Sequence, residues 1–435
     1  MSASSCWQES EKGEWKKSEV HPETLATEAE IARRSSIFFG TEFARKRGLE
    51  SAGKRLKVRG MNGFVRAFSF LLLLLVSAIP LFAEPAEEAI ANRQWQGIPG
   101  LEKTAKGRIY VSWFTGGTHE PHPENVCLLC YSDDGGKTFT EPKTIGLPSN
   151  DGTRAFDPTL WIDPSGRLWY IFNRGNRTTA VHDVWARICE DPDASLPVFG
   201  ESFRLGFNEA PFAFQMNKPT VLSTGEWVLP VTLAQEEIRD WFAGPKQLQG
   251  VAISKDQGKT WKLHGAVEAP EWALENMIVE LKNGRLWMLI RTGDGVLWES
   301  FSTDKGLTWS EGKATTIESP GSRFFVRRLK SGNLLLVNHF KTTWRSRLTA
   351  RLSTDDGKTW NEGLLLDERG ISYPDGVEDE DGVIWITYDR GRTNEGLILM
   401  TRFREEDVVA GKDVSGDVLL KFEIDRLREP APPKP

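Results

Sequence analysis

Seven ionisable residues stand at two fixed distances from a recurring glycine. Asp157, Glu275, Arg323 and Tyr373 lie nine positions before it; Arg291, His339 and Asp389 lie seven after it. Carboxylates, guanidiniums, an imidazole and a phenol can move protons and bind anions. Strand interiors rarely carry so many such groups without a function. The alternative is a solvated channel of ordinary ion pairs, which also perturb pKa values.

The spacing matters only if the fold brings the two columns together. The glycines are Gly107, Gly166, Gly225, Gly284, Gly332 and Gly382, separated by 59, 59, 59, 48 and 50 residues. Each sits between two apolar runs, as in "WIDPSGRLWYIF" and "VELKNGRLWMLI". That is the pattern of a strand, a tight turn and a returning strand. One column then opens the first strand and the other ends the second, so in a hairpin they meet at one end. Each unit continues into a third strand ("NVCLLCYS" and "RLTARLST" are two of them) and leaves room for a fourth. Six units of about 50 residues predict an all-β fold, a six-bladed β-propeller with four-stranded antiparallel blades. Its inner strands line the axis, so both columns converge on one mouth. The predicted propeller spans residues 88–428. "EEAIANRQWQ" is expected to lend a strand to the last blade and close the ring. Residues 429–435, rich in proline, read as a disordered tail.

A second repeat has another character. "SDDGGKTF", "SKDQGKTW", "STDKGLTW" and "RLSTDDGKTW" begin or contain turns at Ser132, Ser254, Ser302 and Ser353. The aspartate can accept bonds from nearby amides, and the glycine permits left-handed dihedrals. Such carboxylates are satisfied locally, so these turns are predicted to be structural.

The net charge of −6 and the lack of a basic stripe argue against a nucleic-acid partner. The segment beginning at Met61, "MNGFVRAFSFLLLLLVSAIPLFAEP", has a basic residue, Arg66, and then an apolar run from Phe68 to Phe82. The run is short for a membrane span and has the form of a secretory signal over residues 61–83, ending at Ala78 or Ala83. Secretion or a periplasmic location follows, with no stable span after cleavage. Residues 1–60 are read as an N-terminal extension upstream of the true start. Cys127 and Cys130 lie three apart on one strand and face opposite sides, so they cannot easily bridge; with Cys189, buried free thiols are expected at least as readily as a disulfide.

Together these motifs resemble the sialidase (neuraminidase) superfamily. The turns are its Asp-box, or BNR, repeats. "ENMIVELKNGRLWMLIR" resembles the family's Glu-then-Arg segment, with Glu275 on the activating glutamate and Arg291 on one arginine of a triad. "WRSRLTARLS" resembles the segment of another triad arginine, at Arg345. "SYPDGVEDEDGVIWITYD" resembles the nucleophile segment, with Tyr373 on the catalytic tyrosine and Asp389 where a glutamate usually orients an arginine. "HEPHPENVCLLCYSDDGG" resembles the acid/base loop, with Glu120 where an aspartate is usual. The resemblance covers residues from about 95 to 410.

One departure stands out. Sialidases begin the first blade with Arg-Ile-Pro, whereas "QGIPG" keeps Ile98 and Pro99 but puts Gly97 in the arginine's place. Losing a charged hydrogen-bonding partner commonly costs about 1.5–3 kcal/mol. Arg323, on the neighbouring axial column, is positioned to compensate; otherwise the substrate is a different, still acidic, sugar.

The resemblance implies retaining hydrolysis of a terminal sialic acid or related acidic sugar from a glycan or glycoconjugate. Tyr373 would attack, Glu275 would take its proton, and Glu120 would serve as acid and then base. Arg291 and Arg345 would bind the substrate's carboxylate, and Asp157 and His339 would contact sugar hydroxyls. No metal or organic cofactor is required; His119 and His122 flank Glu120, but three ligands in a mobile loop rarely define a site. Two other readings remain: a propeller glycosidase or lyase on a different sugar, and a non-catalytic carbohydrate-binding propeller. Binding alone does not need a base beside a phenol.

Overall fold

The computed structural model describes residues 5–9, 15–19 and, between 90 and 427, all but 148–152, 177–180, 207–211, 215–216, 235–246 and 271. Ser5–Glu9 and Trp15–Glu19 pair antiparallel within a unit, residues 1–83, separate from residues 84–435. The predicted signal segment and C-terminal tail lie outside the described residues. Among the described residues, no helix is long and apolar enough to cross a membrane.

Within the unit of residues 84–435, the described residues form a six-bladed β-propeller with strands from Gln96 to Asp425. Blade 1 is Gln96–Lys103, Ile109–Thr115, Val126–Ser132 and Lys143–Gly146. Blade 2 is Arg154–Ile162, Leu168–Asn176, Val181–Cys189 and Phe203–Arg204. Blade 3 has a first strand in two pieces, Phe212–Phe214 and Thr220–Val221. Both pair with Trp227–Ala234, and Gln247–Ser254 and Lys262–Val267 follow. Blade 4 is Ala273–Glu280, Leu286–Thr292, Val296–Ser302 and Lys313–Glu318; blade 5 is Phe325–Arg328, Leu334–His339, Leu348–Ser353 and Leu364–Asp367. Blade 6 is Ser372–Glu378, Val383–Arg390, Leu397–Arg404 and Leu419–Asp425. Every blade is antiparallel and runs outward in chain order. The six marker glycines turn the inner hairpins with φ between 73° and 100°, where a side chain would be strained.

Among the described residues, the expected strand exchange at closure is not seen. Gln96 opens blade 1, and all four strands of blade 6 come from the C-terminal end of the chain. Side chains close the ring instead. Arg93 Nη2 donates to Asp425 Oδ2 at 2.8 Å, and Gln96 Nε2 donates to the same oxygen at 2.8 Å. A buried apolar cluster joins Trp113, Leu128 and Ile109 of blade 1 to Trp385, Ile398 and Met400 of blade 6. With an ion pair and a continuous core at the seam, no borrowed strand is needed to cover the edge.

The Asp-box turns behave as predicted. Asp355 Oδ1 accepts from the Thr359 amide at 2.9 Å, and Thr359 Oγ1 donates to Asp355 Oδ2 at 2.7 Å; the other three boxes repeat this pattern. Their glycines press on the preceding blade. A Cβ at Gly258 would lie 2.6 Å from the Trp169 ring, and one at Gly357 would lie 2.5 Å from Trp287. The boxes therefore lock blade to blade. Cys127, Cys130 and Cys189 are buried free thiols. Cys127 joins the blade 1–2 core and Cys130 the blade 1–6 core, so they do face opposite sides.

Candidate active site

In blades 1, 2, 4 and 6 the innermost strand breaks register at the mouth. Pairing jumps between Gly97 and Gly100, Phe156 and Thr159, Leu274 and Met277, and Ser372 and Asp375. Inside each break one residue takes a left-handed backbone: Ile98 (φ 57°), Asp157 (47°), Glu275 (55°) and Tyr373 (59°). Such dihedrals are uncommon without glycine and cost on the order of 1–3 kcal/mol each. In three of the four, proline follows (Pro99, Pro158, Pro374). Proline has no N–H to extend the ladder, which favours a bulge there. The bulge re-aims one side chain per blade, and in three blades that side chain is ionisable.

The two columns meet as their spacing required. Leu274 pairs with Arg291, and Ser372 with Asp389, so Glu275 and Tyr373 sit beside the ends of the returning strands. Arg291 Nη1 lies 2.6 Å from Glu275 Oε2 and donates to the Tyr373 hydroxyl at 2.9 Å. All three residues are buried. Arg291 Nε and Arg345 Nη2 both donate to the Gly321 carbonyl, at 2.8 and 3.0 Å, which holds the two guanidiniums together. Burial pushes the Tyr373 phenol above its usual pKa, although three arginines oppose this. Burial alone would depress Arg291, but Glu275 and Tyr373 more than offset it.

A third guanidinium stands here that the sequence reading overlooked. Arg392 follows the second column by three residues. Its Cζ lies 4.3 Å from the centre of the Tyr373 ring, against 5.5 Å for Arg291 and 5.7 Å for Arg345. Arg392 Nε donates to Asp389 Oδ2 at 3.1 Å, and the same oxygen accepts from the Ile98 amide at 2.7 Å. Asp389 thus orients an arginine, as the resemblance implied, but the arginine is Arg392. A Cβ on Gly97 would lie 2.8 Å from Arg392 Nε and 2.9 Å from its Cδ. Gly97 is where the missing arginine would be, and Arg392 fills the space it leaves. The overlooked signal was a glycine in the arginine's place together with an arginine just past Asp389.

Glu120 reaches this group. Its loop is pinned by Asn125, whose side chain donates to the Gly116 carbonyl at 2.7 Å and accepts from the His122 amide at 2.9 Å. Glu120 Oε1 then lies 3.2 Å from Arg392 Nη1. Asp157 is buried close to it. Burial, then the charge of Glu120, pushes Asp157 up to about 8. His339 donates its Nδ1–H to the Ser346 carbonyl, 2.8 Å away, and burial pushes its pKa down to about 4.

Arg323 is buried on the axis, where its charge is felt by Asp157. It faces Asp375, Nη2 to Oδ1 3.7 Å, two residues further along the strand from Tyr373. Asp375 Oδ2 also lies 3.4 Å from Lys218 Nζ and accepts from the Leu101 amide at 2.9 Å. Arg323 therefore belongs to a buried axial charge network, and Arg392, not Arg323, stands where Gly97 left room. Among the described residues, no group of three or more His, Cys, Asp and Glu side chains is arranged to hold a metal.

The architecture defines a sialidase-like six-bladed propeller. The sequence matches the model of the BNR repeat-like domain over residues 107–386, and the chain belongs to that family. Comparison with curated proteins finds no match. Among solved structures it is similar to a Hadza microbial sialidase, at 18% identity and a TM-score of 0.61, over 74% of this chain and 68% of that one. It is also similar to the NanB sialidase of Streptococcus pneumoniae (14%, TM-score 0.57, 73% and 70%). A third is the intramolecular trans-sialidase of Ruminococcus gnavus (16%, TM-score 0.58, 74% and 96%). At these identities the likeness is one of fold.

Proposed function

We propose that the protein is a secreted, retaining exo-glycosidase that removes a terminal sialic acid or a related acidic sugar. The observation that carries this is the meeting of Glu275 and Tyr373 at one nitrogen of Arg291, inside a ring of three guanidiniums. A phenol is a poor nucleophile near neutral pH, since its ordinary pKa is about 10, and burial makes this one poorer. It needs a base, and Glu275 is the buried carboxylate at hand. A neutral phenol also suits an anomeric carbon that bears a carboxylate, because a carboxylate nucleophile would be repelled.

The steps follow. The arginines bind the substrate's carboxylate. The Tyr373 oxygen attacks the anomeric carbon while Glu275 takes its proton. The glycosidic bond breaks, and Glu120 gives a proton to the leaving oxygen. Glu120 then takes a proton from water, which attacks the same carbon; the Tyr373 oxygen leaves and recovers its proton from Glu275. Two displacements give net retention. Asp157 and His339 contact sugar hydroxyls in this reading.

The test is hydrolysis of a fluorogenic sialoside by the protein beginning at Glu84, beside Tyr373→Phe. Turnover should fall by at least about 10³-fold in the variant. Equal turnover by both proteins would remove Tyr373 from the chemistry. Binding of the sialoside by both, with turnover by neither, would favour a carbohydrate-binding propeller.

A further inference from the structure

We infer that Arg392 is a specificity-determining residue: it supplies the third carboxylate-binding guanidinium from blade 6, and it holds Glu120 until a substrate carboxylate takes Glu120's place. This rests on the acidic-sugar reading above, and it goes further by assigning a residue and an order of events.

Three observations carry it. Arg392 is closer to the Tyr373 ring than Arg291 or Arg345, and all three approach that one ring. It occupies space that a side chain at position 97 would need, since a Cβ there would meet its Cγ, Cδ and Nε within 3.0 Å. Its two faces are shared unequally. Asp389, which also binds the Ile98 amide, fixes the inner side through Nε. Glu120 takes Nη1 at 3.2 Å from a loop, and Glu120's side chain is 31% exposed. A buried carboxylate held by a second bond is hard to displace; a partly exposed one on a loop is not. A ligand carboxylate entering the ring would therefore compete with Glu120 for Arg392. Release would free Glu120 to take a proton from water and pass it to a leaving oxygen arriving nearby.

The test is calorimetric binding of the dehydrated sialic acid analogue DANA, and of its carboxamide, to five forms of the protein. These are wild type, Arg392→Ala, Gly97→Arg, Gly97→Arg with Arg392→Ala, and Glu120→Gln. Arg392→Ala should weaken DANA by at least about tenfold and leave the carboxamide unchanged. Gly97→Arg alone should also weaken DANA, because two side chains claim one space. The double variant should recover most of the affinity, which also guards against a simple folding defect in Arg392→Ala. Glu120→Gln, by removing the competitor, should tighten DANA several-fold.

Absence of DANA binding by wild type, DANA binding indifferent to Arg392, or a double variant no better than Arg392→Ala would overturn the assignment. Unchanged or weaker binding to Glu120→Gln would overturn the exchange. The glycosidase reading fails separately: Arg392-dependent, carboxylate-selective binding without Tyr373-dependent turnover sinks the enzyme and keeps the site. Tyr373-dependent turnover that is equal on carboxylate and carboxamide glycosides does the reverse.

Discussion

The Asp-box turns on the blades and the mouth of the axis are both built on aspartate and glutamate, yet their environments are opposite. In the boxes the partners are two to four residues away. Hydrogen bonds from the Thr260 side chain and amide hold Asp256 down at about 2, and Thr359 does the same for Asp355, though both residues are only half-buried. In the mouth the partners are remote in sequence: Tyr373 is 82 residues from Arg291, Asp389 is 291 from Ile98, and Glu120 is 272 from Arg392. Burial there pushes Asp157 up to about 8. A carboxyl satisfied by its own turn is held ionised and spends that charge on local structure. A carboxyl assembled from several blades has charge and proton to give to a ligand.

The largest contrast should come from Glu275→Gln. The amide cannot take the phenol's proton, so turnover should drop by about 10²–10⁴-fold, measured with the fluorogenic sialoside. Loss of the charge beside Arg291 also breaks a buried pair, so thermal denaturation should be followed in parallel. A variant that stays folded and keeps full turnover would deny Glu275 the role of base.

Asp157 sharpens the comparison through pH. Its folded pKa is raised, so between about pH 4 and 8 the unfolded chain ionises this carboxyl while the folded one keeps its proton. Stability therefore falls as pH rises through that window. Asp157→Asn has no proton to keep. Its Tm should exceed that of wild type by a few degrees near pH 7.5, and the gap should close towards pH 4. A gap that widens in acid would mean that Asp157 is ionised in the fold. His339 works in the other direction: burial lowers its pKa, so its contribution is lost as pH falls through about 6.5 to 4.

The same division explains what could be read from the sequence. Periodic features were legible because each blade repeats them: the turn glycines, the boxes, and the two columns that carry Asp157, Glu275, Tyr373, Arg291 and Asp389. The prolines after Asp157 and Tyr373 even mark the bulges that aim two of those positions, and the one after Ile98 marks the bulge of blade 1. Arg392 was not legible, because it sits in a loop past the column where no period points to it. Gly97 was visible, but read alone a glycine is only a missing side chain; its meaning depends on the Arg392 side chain approaching from blade 6, 295 residues later. Arg323 was on the right column but in blade 5, where the first strand starts only at Phe325 and Arg323 does not adopt the left-handed bulge conformation. Ring closure was misjudged for a similar reason. The Arg93–Asp425 pair that helps to seal it joins residues with no repeat relation.

The smallest expected effect belongs to Asp355→Asn. The amide oxygen can keep the bond from the Thr359 amide, but its NH2 cannot accept from Thr359 Oγ1, so one acceptor bond is lost with the charge. Asp355 is depressed in the fold, so its charged form adds stability above about pH 4, which is lost as pH falls towards 2. The variant should show a slightly lower Tm at pH 7, a difference that vanishes in acid, and unchanged kcat/KM. Gly357 and Trp360 of the same turn keep their packing, so the blade 4–5 contact remains. A fall in turnover comparable to that of a mouth variant would place a box carboxylate in the chemistry and erase the distinction between the two regions. A Tm difference that grows in acid would mean that the turn is held by a protonated carboxyl, contrary to its two bonds from Thr359.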